Sequence, residues 1–172
     1  RSGKAIRFNE QIVRPIGRTA SGVKGVSLKD TDEVIGMICV ENESEDVFVV
    51  AENGYGKRSS IEDYRVTNRG GKGVKTINIT EKTGALVALK SVTDNDDLMI
   101  ITESGMTIRM AVNSVRVMGR AAQGVRLINL KDNDKIASVT RISASEDDEE
   151  IIEDVDIDIV ESNDQENNNT ED

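Results

Sequence analysis

The chain contains three consecutive copies of one unit, related by a constant offset of 51 residues (53 − 2 and 104 − 53). A first motif reads SGKAIR from Ser2, NGYGKR from Asn53 and SGMTIR from Ser104. A second reads GRTASGVKGVSLKD from Gly17, NRGGKGVKTINITE from Asn68 and GRAAQGVRLINLKD from Gly119. A period of this length is typical of repeat arrays and propellers, in which each unit packs on its neighbours.

Each copy contains short runs rich in β-branched residues, which predict strands and not helices. The dipeptide Asn53-Gly54 between two such runs is a strong hairpin signal, because both residues tolerate positive φ. Four strands in about 50 residues are typical of a propeller blade, so we expect an all-β, propeller-like fold of four-stranded blades. The predicted strands are Val47–Val50, Tyr55–Arg58, Val74–Ile79 and Leu86–Leu89 in the middle copy, and Leu98–Ile101, Val125–Leu130 and Ile136–Val139 in the third.

We expect an incomplete blade at 1–46, blades at 47–97 and 98–142, and an acidic tail at 143–172. The first copy begins inside its hairpin, so we expect it to lack its opening strand and the chain to be a fragment of a larger ring. The tail holds 14 of the 32 acidic residues and none of the 22 basic ones, and its composition predicts disorder. An alternative is an extended segment around Val155–Val160 that pairs with a blade edge or competes for the basic residues.

The net charge of −10 conceals a positively charged body, since residues 1–142 hold 22 basic and 18 (32 − 14) acidic residues. A surface charge that repeats with the fold suggests a partner that follows the array, and duplex nucleic acid is the obvious candidate. Only two Phe and two Tyr are present, which argues against single-strand binding by base stacking. Twelve basic residues form four columns with the period of the repeat: Arg7, Arg58 and Arg109; Arg14, Arg65 and Arg116; Arg18, Arg69 and Arg120; Lys24, Lys75 and Arg126.

The candidate binding loop of the middle copy contains Arg69, Gly70, Gly71, Lys72, Gly73 and Lys75. It combines cationic side chains with glycines that would let backbone N–H groups approach a phosphate. The alternative is a set of solvated turns. The column of Arg7, Arg58 and Arg109 lies in or near strands, where the aliphatic stems could equally cover blade edges.

Catalytic chemistry has little support in this sequence. The chain has no His, and Cys39 is its only Cys, so His-based catalysis and an internal disulfide are both excluded and a cytoplasmic setting is expected. Tyr64 beside Arg65 could suggest a covalent nucleophile, but Tyr64 aligns with valines in the other copies and is interpreted as a packing residue. The segment Asp94–Asp97 lacks the glycine and distal glutamate of a calcium loop, so no metal site is expected. No apolar run is long enough to span a bilayer, and no membrane partner is expected.

Residues 1–142 resemble the C-terminal domain of the DNA gyrase A subunit. The resemblance rests on VVAENGYGKR at Val49–Arg58, on the Gly-Arg-x-x-x-Gly-Val-Arg/Lys pattern, and on the run into an acidic C-terminus. It implies a β-pinwheel whose outer rim wraps DNA, within an enzyme that introduces supercoils using ATP and has its active-site tyrosine elsewhere. The implied partners are duplex DNA, the B subunit of gyrase and the remainder of the A subunit. No cofactor is implied for this segment, and ATP and Mg²⁺ are implied for the whole enzyme. Topoisomerase IV has a similar domain in its own A subunit.

Gyrases carry the heptad Gln-Arg-Arg-Gly-Gly-Lys-Gly in an early blade. The segment Thr67–Gly73 keeps Arg-Gly-Gly-Lys-Gly but has Thr and Asn in the first two positions. We interpret it as the equivalent loop of a later blade.

The leading hypothesis is therefore a non-catalytic module that bends or wraps duplex DNA. The alternative is a protein-interaction propeller, similar to the chromosome-condensation-regulator type, whose partner binds at the centre of the disc and whose rim charge is incidental.

Overall fold

The computed structural model describes residues 1–29, 31–131 and 134–143. The expectations for the acidic tail concern residues that lie outside these ranges, apart from Ser143. Among the described residues, regular structure consists of strands and three single 3₁₀ turns at equivalent places in the copies, Glu10–Ile12, Ile61–Asp63 and Val112–Ser114. No helix in the described ranges has the length and apolar character needed to cross a membrane. The strands are β1 Lys4–Ala5, β2 Asp46–Ala51, β3 Tyr55–Ser60, β4 Val74–Lys75, β5 Leu86–Val92, β6 Asp97–Thr102, β7 Thr107–Ala111, β8 Val125–Arg126 and β9 Ile136–Ile142.

The strands form three antiparallel sheets, one for each copy. The middle sheet has the order β5-β2-β3-β8, the third has the order β7-β6-β9, and β1 pairs with β4. The predicted hairpin at Asn53-Gly54 is confirmed: it joins β2 to β3, and Gly54 has a φ of 82°. A positive φ is unfavourable for residues with a Cβ, which explains glycine at this turn.

In the first two sheets, one edge strand comes from the next copy along the chain. Strand β8 of the third copy pairs with β3 of the middle copy, and β4 of the middle copy pairs with β1 of the first. The expected runs Val74–Ile79 and Val125–Leu130 are strands over two residues each. Four strands in the middle sheet agree with the prediction, but they do not all come from one contiguous unit. The boundaries at 46/47, 97/98 and 142/143 stay a prediction of the repeat alone.

The apolar core lies on both faces of β2. Phe48 and Val50 belong to one buried cluster, which includes Ile100 of the third copy. Val47 and Val49 point to the opposite face and belong to a second cluster, built from the first and middle copies. Fully burying one such side chain contributes about 1.5–3 kcal/mol, so the packing between copies is a main source of stability.

Two contact zones join the copies, and they repeat the same backbone hydrogen bonds. In junction 1, between residues 3–7 and 66–77, Thr67 N donates to Arg7 O at 2.8 Å. In junction 2, between residues 54–58 and 117–128, Met118 N donates to Arg58 O at 2.8 Å. Met118 and Arg58 lie 51 positions after Thr67 and Arg7, respectively. One interaction pattern therefore orients successive copies.

Candidate nucleic-acid interface

The second sequence motif contains most of the predicted binding residues. It includes the edge strands β4 and β8 in the middle and third copies, and its described residues contain no strand in the first copy. We call these motif segments the outer segments. In the middle copy this segment is fastened to the first copy, because Gly70 N donates to Gly25 O at 2.6 Å and Ser27 N donates to Gly71 O at 2.8 Å. The N–H of Gly70 is therefore already used within the protein. A Cβ at Gly73 would lie 2.5 Å from Ala5 O. In the structure Gly73 allows close contact between copies, a role different from the phosphate approach that the sequence suggested.

In the column of Arg7, Arg58 and Arg109, the first two arginines connect one copy to the next, while Arg109 bonds Asp97 within the hairpin of β6 and β7. Arg7 donates to the Ile61 carbonyl at 3.1 Å, and Arg58 repeats this contact with the Val112 carbonyl at 3.4 Å. The side chain of Arg58 is only 9% exposed. Arg58 is therefore not available to a ligand, which corrects its inclusion among the predicted DNA-binding residues.

The acidic segments before each hairpin complete these connections. Arg7 pairs with Glu43 at 3.4 Å, and Arg58 pairs with Asp94 at 2.6 Å, one repeat later. Arg109 pairs with Asp97 at 2.6 Å. The carboxylates of Asp94 and Asp97 are thus occupied by arginines. In the described part of the chain, no group of three His, Cys, Asp or Glu residues is placed to hold a metal ion.

In the column of Arg18, Arg69 and Arg120, two of the guanidinium groups use only part of their N–H donors within the protein. Arg69 donates to the Lys24 carbonyl at 3.2 Å, and Arg120 donates to the Lys75 carbonyl at 2.9 Å. A guanidinium has five N–H donors, so one such bond leaves others available. Arg18 is exposed.

The column of Lys24, Lys75 and Arg126 differs from copy to copy. Lys75 Nζ donates to Asn78 Oδ1 at 3.2 Å, and Lys24 is exposed. Arg126 stacks 5.4 Å from the centre of the Tyr55 ring and donates to the Tyr55 hydroxyl at 2.9 Å. The hydrogen bond from Arg126 lowers the pKa of Tyr55, because it stabilises the phenolate.

The column of Arg14, Arg65 and Arg116 is exposed in all three copies. None of these side chains makes a hydrogen bond or ion pair with another described residue. Arg65 and the exposed Lys72 line one cleft of about 330 Å³ at junction 1, together with Asn68, Gly71 and Gly73. The structure therefore brings two unpaired cations to one concave surface, and multivalent anions favour such places.

Two lysines were missed by sequence reasoning. Lys4 is exposed on β1, and its column continues with Tyr55 and Met106, so it carries no periodic signal. Lys57 is fully buried and donates to Ser59 Oγ at 2.7 Å and to Gly119 O at 2.8 Å. The equivalent residues of the other copies, Ile6 and Ile108, predict an apolar position and do not indicate a buried charge.

Tyr64 lies in the core, as its alignment with valines predicted. It is 3% exposed, and its hydroxyl shares a hydrogen bond with Thr76 Oγ1. Burial raises the pKa of Tyr64, which makes its phenolate harder to form. Neither property suits a nucleophile.

Comparisons with known proteins agree with this arrangement. A family model described as "DNA gyrase C-terminal domain, beta-propeller" matches residues 1–41, 45–93 and 96–143. The DNA gyrase A subunit of Staphylococcus epidermidis (strain ATCC 12228 / FDA PCI 1200) is 50% identical over 143 residues, which cover 83% of this chain and 16% of that protein. The DNA gyrase A subunit of Staphylococcus aureus (strain MRSA252) is 50% identical over 145 residues, which cover 84% of this chain and 16% of that protein. The chain thus spans about 16% of the length of these relatives.

Solved structures show the same fold. A DNA gyrase A C-terminal domain aligns with a TM-score of 0.74 and 29% identity, over 81% of this chain and 47% of that one. The C-terminal domain of DNA topoisomerase IV aligns with a TM-score of 0.78 and 22% identity, over 83% of this chain and 44% of that one. The expected all-β, propeller-like pinwheel is confirmed, and the chain belongs to the DNA gyrase C-terminal domain family of β-propellers.

Proposed function

We propose that this chain binds duplex DNA along its outer segments and bends the duplex around them, as a non-catalytic module of a type II DNA topoisomerase. The proposal is carried by the position of Arg65 and Lys72, which both line the junction 1 cleft. Both side chains are exposed, and neither has a described carboxylate partner. Arg14, Arg18 and Lys24 of the first copy and Arg116 of the third are exposed at repeat-related places.

Repetition matters because bending DNA is costly. A sharp bend over a few tens of base pairs costs on the order of 1–10 kcal/mol, which only several simultaneous phosphate contacts offset. Successive copies present equivalent cations after each rotation, so a bent duplex meets them in turn. Contacts of this kind reach phosphates and not base edges, and we expect weak sequence preference.

For the whole protein, we propose the activity that the names of its relatives indicate, a DNA gyrase acting in the bacterial cytoplasm. Its ATP-dependent supercoiling, its Mg²⁺ and its assembly with the B subunit of gyrase belong to this wider proposal, because the chain covers only 16% of those relatives.

The test is a titration of duplex DNA between roughly 50 and 200 mM salt, with bending followed by energy transfer between labelled DNA ends. The slope of log K against log salt should be about −0.9 for each phosphate contact, and R65Q/K72Q should flatten it by about 0.9 for each phosphate that the variant no longer binds. K90Q is the matched control, since Lys90 lies on β5 at the opposite edge of the middle sheet from β8. A wild-type slope near zero would favour the protein-interaction propeller instead.

A further inference from the structure

Lys4 and Lys75 face each other across junction 1. They are Cα partners in the antiparallel pairing of β1 with β4, and both side chains are exposed. Directly opposite residues in such a pair have Cβ atoms about 4.5–5.5 Å apart and project from the same face of the sheet. Two ammonium groups from different copies therefore share one patch of surface.

Nothing in the described surroundings neutralises this pair. No described carboxylate oxygen lies within 4.0 Å of either ammonium nitrogen. Lys75 Nζ donates to the neutral Asn78 amide oxygen at 3.2 Å, and Arg120 adds a further cation by donating to the Lys75 carbonyl at 2.9 Å. Like charges placed directly opposite each other destabilise a strand pair. A bound anion between the two ammonium groups would remove this repulsion.

In junction 2, the residues equivalent to Lys4 and Lys75 stabilise the positive charge without an anion. There the register pairs Tyr55 with Arg126. The guanidinium lies over the aromatic ring at 5.4 Å and donates to its hydroxyl at 2.9 Å, so the cation is stabilised within the protein. Junction 1 has Lys4 in place of the ring.

We propose that Lys4 and Lys75 form a two-lysine phosphate site, in which one phosphate group binds both ammonium groups and so connects the first copy to the middle copy. The proposal rests on the proposed function, with a phosphodiester of the duplex as the natural ligand. Lysine binds phosphate as a compact point charge with freely rotating donors, so two lysines on adjacent strands converge on one phosphate without rigid geometry. DNA binding then also stabilises a junction that is strained by repulsion in the free protein.

The first experiment compares the full chain with K4Q, K75Q and K4Q/K75Q in duplex titrations over a range of salt, with K90Q as control. Each single variant should weaken binding while the remaining lysine still contacts the phosphate, and the double variant should weaken it further and flatten the salt slope by about 0.9 in total, because one phosphate contact is then lost. A flattening of about 1.8 in the double variant, about 0.9 from each single variant, would mean two separate phosphates, and wild-type behaviour of all three variants would mean no contact at all. Either result overturns the shared site and leaves the proposed function standing.

The second experiment uses inorganic phosphate and needs no DNA. At constant ionic strength, replacing chloride by phosphate should raise the melting temperature of the wild type and of K90Q more than that of K4Q or K75Q. Without phosphate, K4Q and K75Q should melt at or above the wild-type temperature, because the repulsion is gone. An equal response of all variants to phosphate overturns the site. A phosphate response specific to the two lysines, in a protein that does not bind duplex, would overturn the proposed function and keep the phosphate site.

Discussion

Arg58 donates from Nε to Asp46 Oδ2 at 2.8 Å, and Arg109 makes the same bond to Asp97 at 2.6 Å one repeat later. Sequence and local geometry are repeated, but the environments differ. The Arg58 side chain is 9% exposed and also pairs with Asp94, while the Arg109 side chain is 60% exposed. The third copy packs over Arg58, and this contact turns a surface ion pair into a buried connection.

The first prediction compares these two arginines. R58A should lower the free energy of unfolding by about 3 kcal/mol or more, because it leaves Asp46 without its partner in a largely buried site. R109A removes an exposed ion pair and should cost about 1 kcal/mol or less. Urea denaturation of both variants measures the difference. Equal costs would contradict the structural role assigned to Arg58.

The second prediction concerns pH and the buried Lys57. Desolvation lowers its pKa to about 8 from an ordinary value of 10.5, with the charge of Asp63 opposing the shift and that of Arg120 adding to it. Between these values the unfolded chain binds more protons than the folded one, so this group makes stability rise with pH from about 8 towards 10.5. Below pH 8 Lys57 is charged in both the folded and the unfolded chain, so its destabilising effect on the fold no longer changes with pH.

K57I removes this dependence and matches Ile6 and Ile108 of the other copies. The wild type should therefore gain stability relative to K57I between pH 7 and pH 10, as measured by denaturation at each pH. A difference between the wild type and K57I that does not change with pH would show that Lys57 titrates normally.

The third prediction concerns the glycine of the second motif. Gly124 has a φ of 91°, and a Cβ there would overlap the Gly56 carbonyl of the preceding copy. Gly22 is the equivalent residue of the first copy, with a φ of 79° and no atom within 4 Å of an added Cβ. G22A should cost about 1–2 kcal/mol from backbone strain, and G124A should cost more because the strands of junction 2 must separate. Thermal unfolding would rank the two variants, and similar losses would contradict the close-contact role.

The fourth prediction concerns the acidic tail, which lies outside the described residues except for Ser143. Its 14 negative charges are tethered to a body of net positive charge, at an effective concentration on the order of millimolar if the linker is flexible. We expect a chain ending at Ile142 to bind duplex DNA more tightly than one ending at Asp172, most clearly at low salt, where screening is weakest. Titrations of the two chains would decide, and equal affinities at low salt would show that the tail does not compete for the basic residues.

Local patterns were enough to predict β2, β3 and the turn between them. The alternation of residues and the conformational preference of Asn53-Gly54 act over a few neighbouring residues, and β5, β6 and β9 also contain their predicted runs. The period of 51 further grouped Arg14, Arg65 and Arg116, which lie outside strands and 3₁₀ turns and are exposed in every copy.

The pairing between copies could not be read from the repeat. Strand β8 joins the middle sheet, Arg58 becomes buried and Lys57 enters the core because the third copy packs against the middle one. Lys4 meets Lys75 for the same reason, across 71 residues of chain (75 − 4). A periodic sequence places equivalent side chains at equivalent points within each copy, but burial and charge pairing depend on which neighbouring copy covers those points. That is a non-local packing contact, and only the tertiary structure decides it.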